Sequence, residues 1–270
     1  MITLAAITWS GSPELFSLGP ITIRWYGLLF ALGFVVGYQI MERFYKREGR
    51  SRKDLDALTI AMLLGTIIGA RLGHCLFYEP SYYLANPIEI LKVWRGGLAS
   101  HGAAVGILVA LAVYSKRRKF NMLWLLDRIT IVTALAGSFI RLGNFFNSEI
   151  YGKPADLPWA VIFTRVDLVP RHPVQLYESF SYLAIFFTLY YVLQKVRRPE
   201  RDGLVFGLFL ALVFGARFII EFFKSYQADF ESGLPLMMGQ FLSIPFIIAG
   251  IYFIYRYFNT NGAAKETKTR

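Results

Sequence analysis

Long apolar runs alternate along this chain with short, strongly polar breaks. A membrane-spanning helix needs about 20 mainly apolar residues. Seven runs meet or approach that length: Ile21–Met41, Leu55–Phe77, Leu98–Tyr114, Met122–Ile140, Glu178–Leu193, Gly203–Phe223 and Leu236–Tyr257. The third and fifth are short and draw length from their flanks.

The breaks differ in charge. Arg43, Lys46, Arg47, Arg50, Arg52 and Lys53 follow the first run, and Lys116, Arg117, Arg118 and Lys119 follow the third. Lys195, Arg197, Arg198 and Arg201 follow the fifth, and the tail adds Arg256, Lys265, Lys268 and Arg270. The other breaks hold scattered cations: Lys92 and Arg95; Lys153, Arg165 and Arg171; Lys224. Clustered Lys and Arg remain on the cytoplasmic side, which predicts an outside N-terminus and an inside C-terminus. Two longer segments then fall outside. Glu79–Gly97 holds Pro80, Pro87, Trp94 and Gly96-Gly97 and reads as an interfacial arm. Gly152–Tyr177 holds four prolines and a β-like run, Trp159–Phe163, and reads as a small folded element. The expectation is an all-α integral membrane protein with seven transmembrane helices, an interfacial arm and a small extracytoplasmic element. Residues 1–258 form one membrane domain (arm about 79–97, outer element about 152–177), and 259–270 form a polar cytoplasmic tail.

Composition agrees. Of 270 residues, 55% are hydrophobic and 17% charged, against about 25% charged in a soluble domain. A net charge of +11 would point to nucleic acid in a soluble chain. Here the cations flank apolar runs, so they set topology and meet anionic membrane lipids, and no nucleic acid is expected. One cysteine, Cys75, excludes an internal disulfide and a thiolate metal cluster. Residues 1–20 lack Lys and Arg and contain Pro13 and Pro20, so the first span is read as an uncleaved signal.

Several polar groups interrupt the apolar runs. The densest stretch is Ser138–Gly152, with Arg141, Asn144, Asn147 and Glu149. Snorkelling to the interface explains an arginine at a helix end but not two amides and a carboxylate beside it. Charges at membrane depth cost about 2.5–3.5 kcal/mol on insertion scales and are usually paired or functional. Arg24-Trp25-Tyr26-Gly27 reads either as an interfacial aromatic belt or as a site where Tyr26 aims its hydroxyl at a headgroup. Arg71 and His74, three apart and flanked by Gly69 and Gly73, read as helix packing. His101 lies among small residues, and an imidazole is the natural proton acceptor near neutral pH; a satisfied core histidine is the equal alternative. Arg217 and Glu221 share a helix face at i, i+4 and either pair or serve a phosphate together. His172, before Pro173 and Glu178, reads as part of a helix start.

No Cys or His cluster suits zinc, no Asp set suits magnesium, and no Gly-x-Ser-x-Gly elbow is present. Neither metal nor cofactor is expected. Arginines that grip a phosphate at lipid depth point to a phospholipid substrate. A transporter would also carry intramembrane Arg and Glu, but seven spans do not split into two equal repeats. An intramembrane protease would need a Ser nucleophile or Asp pair with a supporting motif.

The stretch Arg141-Leu-Gly-Asn144-Phe-Phe-Asn147-Ser-Glu149-Ile-Tyr-Gly152 resembles the signature of bacterial prolipoprotein diacylglyceryl transferases. The stretches around Arg24–Gly27, Gly96–Gly102, His172–Glu178, Arg217–Phe222 and Gly239–Ser243 resemble the same family in the same order. The resemblance implies transfer of the diacylglyceryl group of phosphatidylglycerol to the lipobox cysteine thiol in the signal peptide of a preprolipoprotein, with release of glycerol phosphate, at the outer face of the bacterial inner membrane. It implies His101, Arg141 and Arg217 as catalytic residues, and Tyr26, Asn144, Glu149, Gly152 and Glu221 as substrate-binding or orienting residues. His101 would take the thiol proton; a rival route leaves His101 structural and lets the arginines lower the thiol pKa. Many members carry a tyrosine before the arginine of span six, where this chain has Leu212-Val213-Phe214-Gly215-Ala216.

Overall fold

The computed structural model describes residues 6–19, 21–195, 201–225 and 235–259. The chain resolves into two compact units. The first takes the described residues of 1–39 and 126–270, and the second takes 40–125.

The elements run in order as β1 Ile7–Trp9, β2 Glu14–Leu18, β3 Ile21–Arg24, α1 Trp25–Arg47, α2 Arg52–Phe77, α3 Pro80–Ala85 and α4 Pro87–Ile90. After a 3-10 turn at Val93–Arg95 come α5 Ser100–Arg118, α6 Met122–Phe146, β4 Val161–Phe163, β5 Pro170–Arg171, α7 Val174–Lys195, α8 Leu204–Glu221 and α9 Met238–Asn259. Among the described residues, six helices (α1, α2, α6, α7, α8 and α9) are long and apolar enough to cross a membrane. The run expected as the third span forms α5. It opens on Ser100-His101-Gly102 and ends on Lys116-Arg117-Arg118, so its apolar centre is short.

Two boundaries differ from the sequence expectation. The first run does not begin as helix at Ile21: the β-branched alternation Ile21-Thr22-Ile23 pairs antiparallel with β2, and α1 starts at Trp25. The fifth span begins at Val174, directly after Pro173, and Glu178 therefore sits a full turn inside α7. The tail beyond Asn259, and with it Lys265, Lys268 and Arg270, lies outside the described residues, as do Arg197 and Arg198.

In the first unit, β1 pairs parallel with β4, and β4 pairs antiparallel with β5. The expected β-like run supplies β4. Phe145, at the end of α6, packs with Val161 and Phe163 and is flanked by Trp9, Tyr151 and Leu176. Phe146 stacks on Trp25 with centroids 4.8 Å apart. These aromatic contacts hold the end of α6 on the small sheet. At the other end of that helix, both Asp127 carboxylate oxygens accept backbone N–H bonds from Gly203 (2.7 Å) and Phe206 (2.8 Å), satisfying the start of α8.

In the second unit, α2 and α5 meet through glycines. A Cβ on Gly102 would collide with the Gly69 carbonyl and Gly73, and one on Gly106 with Gly65 and Gly69. Small residues let backbones approach where lipid offers no hydrophobic drive. Arg71, 4% exposed, does more than pack helices. Its guanidinium donates to four carbonyls of the following segment: Glu89 (2.5 Å), Ile90 (2.9 Å), Gly96 (2.6 Å) and Gly97 (3.3 Å). One buried cation thereby fastens the arm. On the arm itself, Lys92 (2.5 Å) and Arg95 (2.6 Å) donate to Glu89 and hold its carboxyl below the usual range.

Candidate active site

The signature stretch forms the end of α6 and the turn after it. Two residue types alternate there for different reasons. Phe145 and Phe146 face the aromatic cluster, while Arg141, Asn144 and Asn147 carry the polar chemistry. Ser148 (φ 56°) and Ile150 (φ 57°) then adopt left-handed backbone, which costs a β-branched residue energy and is found where surrounding contacts over-determine it. The reversal returns the Glu149 carboxylate onto the helix end. Glu149 Oε1 accepts from Asn144 Nδ2 (2.6 Å) and Asn147 Nδ2 (3.2 Å). Asn144 Oδ1 in turn accepts from Arg141 Nη1 at 3.1 Å. Glu149 thus orients Arg141 through Asn144 and not by direct contact.

The other side of Arg141 meets α7. Its Nε lies 2.8 Å from Glu178 Oε2. Glu178 Oε1 accepts from Lys224 Nζ at 2.9 Å, and Lys224 also donates to Glu221 Oε2 at 3.0 Å. Arg141, Glu178, Lys224 and Glu221 form a chain of alternating charge; the last three are almost wholly buried. A buried charge is tolerated when paired and hydrogen-bonded. Around the chain, Gln175 donates to the Glu149 carbonyl (2.8 Å), and Ser179 donates to the Ser138 carbonyl (2.9 Å). These bonds lock α7 to α6 on both sides of Arg141. Gly239, in the first turn of α9, lies against the Glu221 carboxylate so closely that a Cβ there would overlap it.

Sequence reasoning treats Arg217 and Glu221 as partners. The structure pairs Glu221 with Lys224, and among the described residues Arg217 forms no ion pair. Lys224 lies in the turn beyond the end of α8, whose backbone bond from Lys224 N–H to the Glu221 carbonyl (3.1 Å) brings the ammonium back to the Glu221 carboxylate. Tyr182, buried on α7, lies close enough to Arg141 and Arg217 to feel both charges. Tyr26 packs its ring on Gly143, where a Cβ would lie 2.9 Å from Tyr26 Cδ2, and its hydroxyl senses Glu149 and Arg141. Gly152 donates to the His172 carbonyl (3.0 Å) and forms an isolated bridge with Lys224, so it sits where three chain segments converge.

Six of the residues named from the sequence therefore fall into one neighbourhood of the first unit: Tyr26, Arg141, Asn144, Glu149, Gly152 and Glu221. Arg217 borders it through Tyr182. His101 belongs to the second unit. It is exposed in the first turn of α5, with its ring 5.6 Å from Phe77 and 5.8 Å from Tyr78 between centroids. Glu178 and Lys224 were passed over because the first read as a helix-start charge and the second as a loop cation. The Glu221-Phe-Phe-Lys224 spacing is a local signal for Lys224, and Glu178 has none.

His172 lies just outside the spans. Its Nδ1 is 3.2 Å from the Tyr177 hydroxyl, which accepts from Trp159 Nε1 at 2.8 Å. Burial, with help from Lys153, holds this imidazole below its ordinary pKa. Asp167 is held low by the Arg171 guanidinium, 2.5 Å away.

The fold and the site together are those of a multi-pass membrane protein with a carboxylate-braced arginine cluster. A family model described as prolipoprotein diacylglyceryl transferase matches residues 13–256. Among curated relatives, the phosphatidylglycerol–prolipoprotein diacylglyceryl transferase of Tolumonas auensis is 54% identical over 90% of this chain and 94% of its own length. Proteins of the same name from Chloroherpeton thalassium (53%, covering 95% and 96%) and Bacteroides fragilis (42%, covering 94% and 96%) align as fully. The chain belongs to the prolipoprotein diacylglyceryl transferase family and is a membrane-embedded transferase.

Proposed function

We propose that the Arg141 cluster is where this chain carries out the reaction of its family, moving the diacylglyceryl group of phosphatidylglycerol to a prolipoprotein. The observation that carries the reading is the way Arg141 is held. Its Nε lies in an ion pair with Glu178 at 2.8 Å, and its Nη1 donates to Asn144 Oδ1 at 3.1 Å. The other N–H groups on its two terminal nitrogens suit a phosphate oxygen, and planar donors of this kind recognise phosphate well.

The acceptor is the lipobox cysteine in the signal peptide of the preprolipoprotein. Its thiol loses a proton, and the sulfur attacks the glycerol carbon bonded to the phosphate oxygen. The carbon–oxygen bond breaks with its electron pair going to the phosphate. Glycerol phosphate leaves and a thioether remains. Charge grows on the leaving phosphate, so Arg141 and Arg217 act on the transition state. Asn144 and Tyr26 serve the headgroup, Glu149 and Glu221 hold the cationic groups in place, and Gly152 keeps the segment behind them close. His101 is the proposed proton acceptor on the chemistry of imidazole. The reaction needs neither metal nor cofactor.

The same reading takes α5 as a span, giving seven. It puts the N-terminus outside, the C-terminus inside, and the active side toward the outer face of the bacterial inner membrane. Residues 1–258 are one membrane domain with the arm at 79–97 and the outer element at 152–177; 259–270 are a cytoplasmic tail.

The test uses the purified full-length protein with phosphatidylglycerol and a lipobox peptide, following glycerol phosphate release and peptide mass. Wild type should add one diacylglyceryl mass, and Arg141→Ala should lose on the order of 10²–10³ in rate. Full activity of Arg141→Ala would overturn the assignment of the site. His101→Gln that keeps near-normal rates would remove His101 from the mechanism.

A further inference from the structure

We propose that Glu178 and Lys224 are positioning residues of the transfer reaction, acting through the Arg141 guanidinium. This rests on the reading of Arg141 as the phosphate-binding group. Neither residue can reach a ligand. Glu178 is 0% and Lys224 1% exposed, and each is enclosed by charged partners of the protein itself.

Stability alone does not explain their presence. A buried ion pair often contributes no more than well-packed apolar side chains of the same volume. Here Arg141, Glu178, Lys224 and Glu221 are kept together where α6, α7 and α8 converge. Their geometry suits aiming a cation. Glu178 gives one carboxylate oxygen to each of two cations, 2.8 Å from Arg141 Nε and 2.9 Å from Lys224 Nζ. A carboxylate devoted to Arg141 alone would hold it and also cancel its charge. Shared with Lys224, the same carboxylate keeps its ion pair beside Arg141 Nε and leaves more of the guanidinium's positive charge for a phosphate. Lys224 is itself kept in place by Glu221 at 3.0 Å. Glu178 is placed by Gln175 and Ser179, whose bonds to the Glu149 and Ser138 carbonyls tie α7 to α6 beyond either side of Arg141. A displacement of about 1 Å in such a group is enough to cost about 10²-fold in rate.

The experiment is a double-mutant cycle on the full-length enzyme with phosphatidylglycerol and a lipobox peptide. It compares Glu178→Gln, Lys224→Met, the double variant, Lys224→Arg and Arg141→Ala, reading kcat, KM for phosphatidylglycerol and Tm. Glu178→Gln is expected to lose on the order of 10² in kcat with KM within about threefold, while remaining folded at the assay temperature. Lys224→Met should lose part of this and Lys224→Arg should recover it. The double variant should be no slower than Glu178→Gln, because both act through one link. A kcat within about threefold of wild type in Glu178→Gln, with Arg141→Ala inactive, would overturn this inference alone. So would losses that multiply in the double variant and follow Tm. Full turnover by Arg141→Ala would overturn the reading of the site as well.

Discussion

Replacing Gly152 by alanine tests how closely the outer element is tied to the charged cluster. The added Cβ would lie 2.6 Å from the His172 carbonyl oxygen, 2.6 Å from His172 Cβ and 2.7 Å from the Phe223 carbonyl oxygen. Each distance is about 0.7–0.8 Å short of the 3.4 Å at which ordinary contact begins. Two of the three atoms are backbone, on different segments, so no side chain can rotate away. Overpacking by one methyl costs about 1–3 kcal/mol. Separation would also weaken the bonds from Gly152 N–H to His172 (3.0 Å) and from Lys153 N–H to Phe223 (2.8 Å), each worth about 1 kcal/mol. A destabilisation of about 2–4 kcal/mol follows. Phe223 precedes Lys224, so its recoil also shifts the ammonium that Glu178 and Glu221 share. Thermal unfolding followed by tryptophan fluorescence, hydrogen exchange of peptides covering 150–154 and 222–225, and transfer rate check this together. An unchanged Tm with a full transfer rate would refute the claimed close approach.

Arg71→Met should free the arm: four carbonyls lose a charged donor, hydrogen bonds to charged groups contribute about 1.5–3 kcal/mol each, and proteolysis should shift to residues 86–97 before the spans unfold. Gly102→Leu should force α2 and α5 apart at Gly69 and Gly73, lowering Tm, whereas Gly215→Ala, where an added Cβ meets nothing within 4 Å, should cost far less; equal effects would refute the glycine interface. The His172 imidazole, held low by burial, binds fewer protons folded than unfolded, so its contribution rises with pH between its depressed value and about 6.5. Stability of the outer element should therefore fall as pH drops through that window, and His172→Gln should flatten the dependence as measured by hydrogen exchange at Lys153 and Val174.

Much of this protein follows from local pattern. Apolar runs of helical length become α1, α2 and α6–α9 because a backbone in lipid must satisfy its hydrogen bonds within each segment. The signature at Arg141–Gly152 was legible because amides and carboxylate at a helix end in lipid demand partners. Charge spacing along α8 also put Glu221 near cations. What the chain could not declare locally was who pairs with whom. Glu221 chose Lys224 over Arg217, and Glu178 became the shared acceptor of Arg141 and Lys224, because α7 brings it there from 37 to 46 residues away in sequence. Strand β1 found β4 about 150 residues on, and Arg71 found the carbonyls of the arm. Hydropathy and periodicity describe how one segment meets its solvent. Ion pairs, backbone clamps and close glycine contacts depend on how segments remote in sequence meet one another, and that is decided when the helices pack.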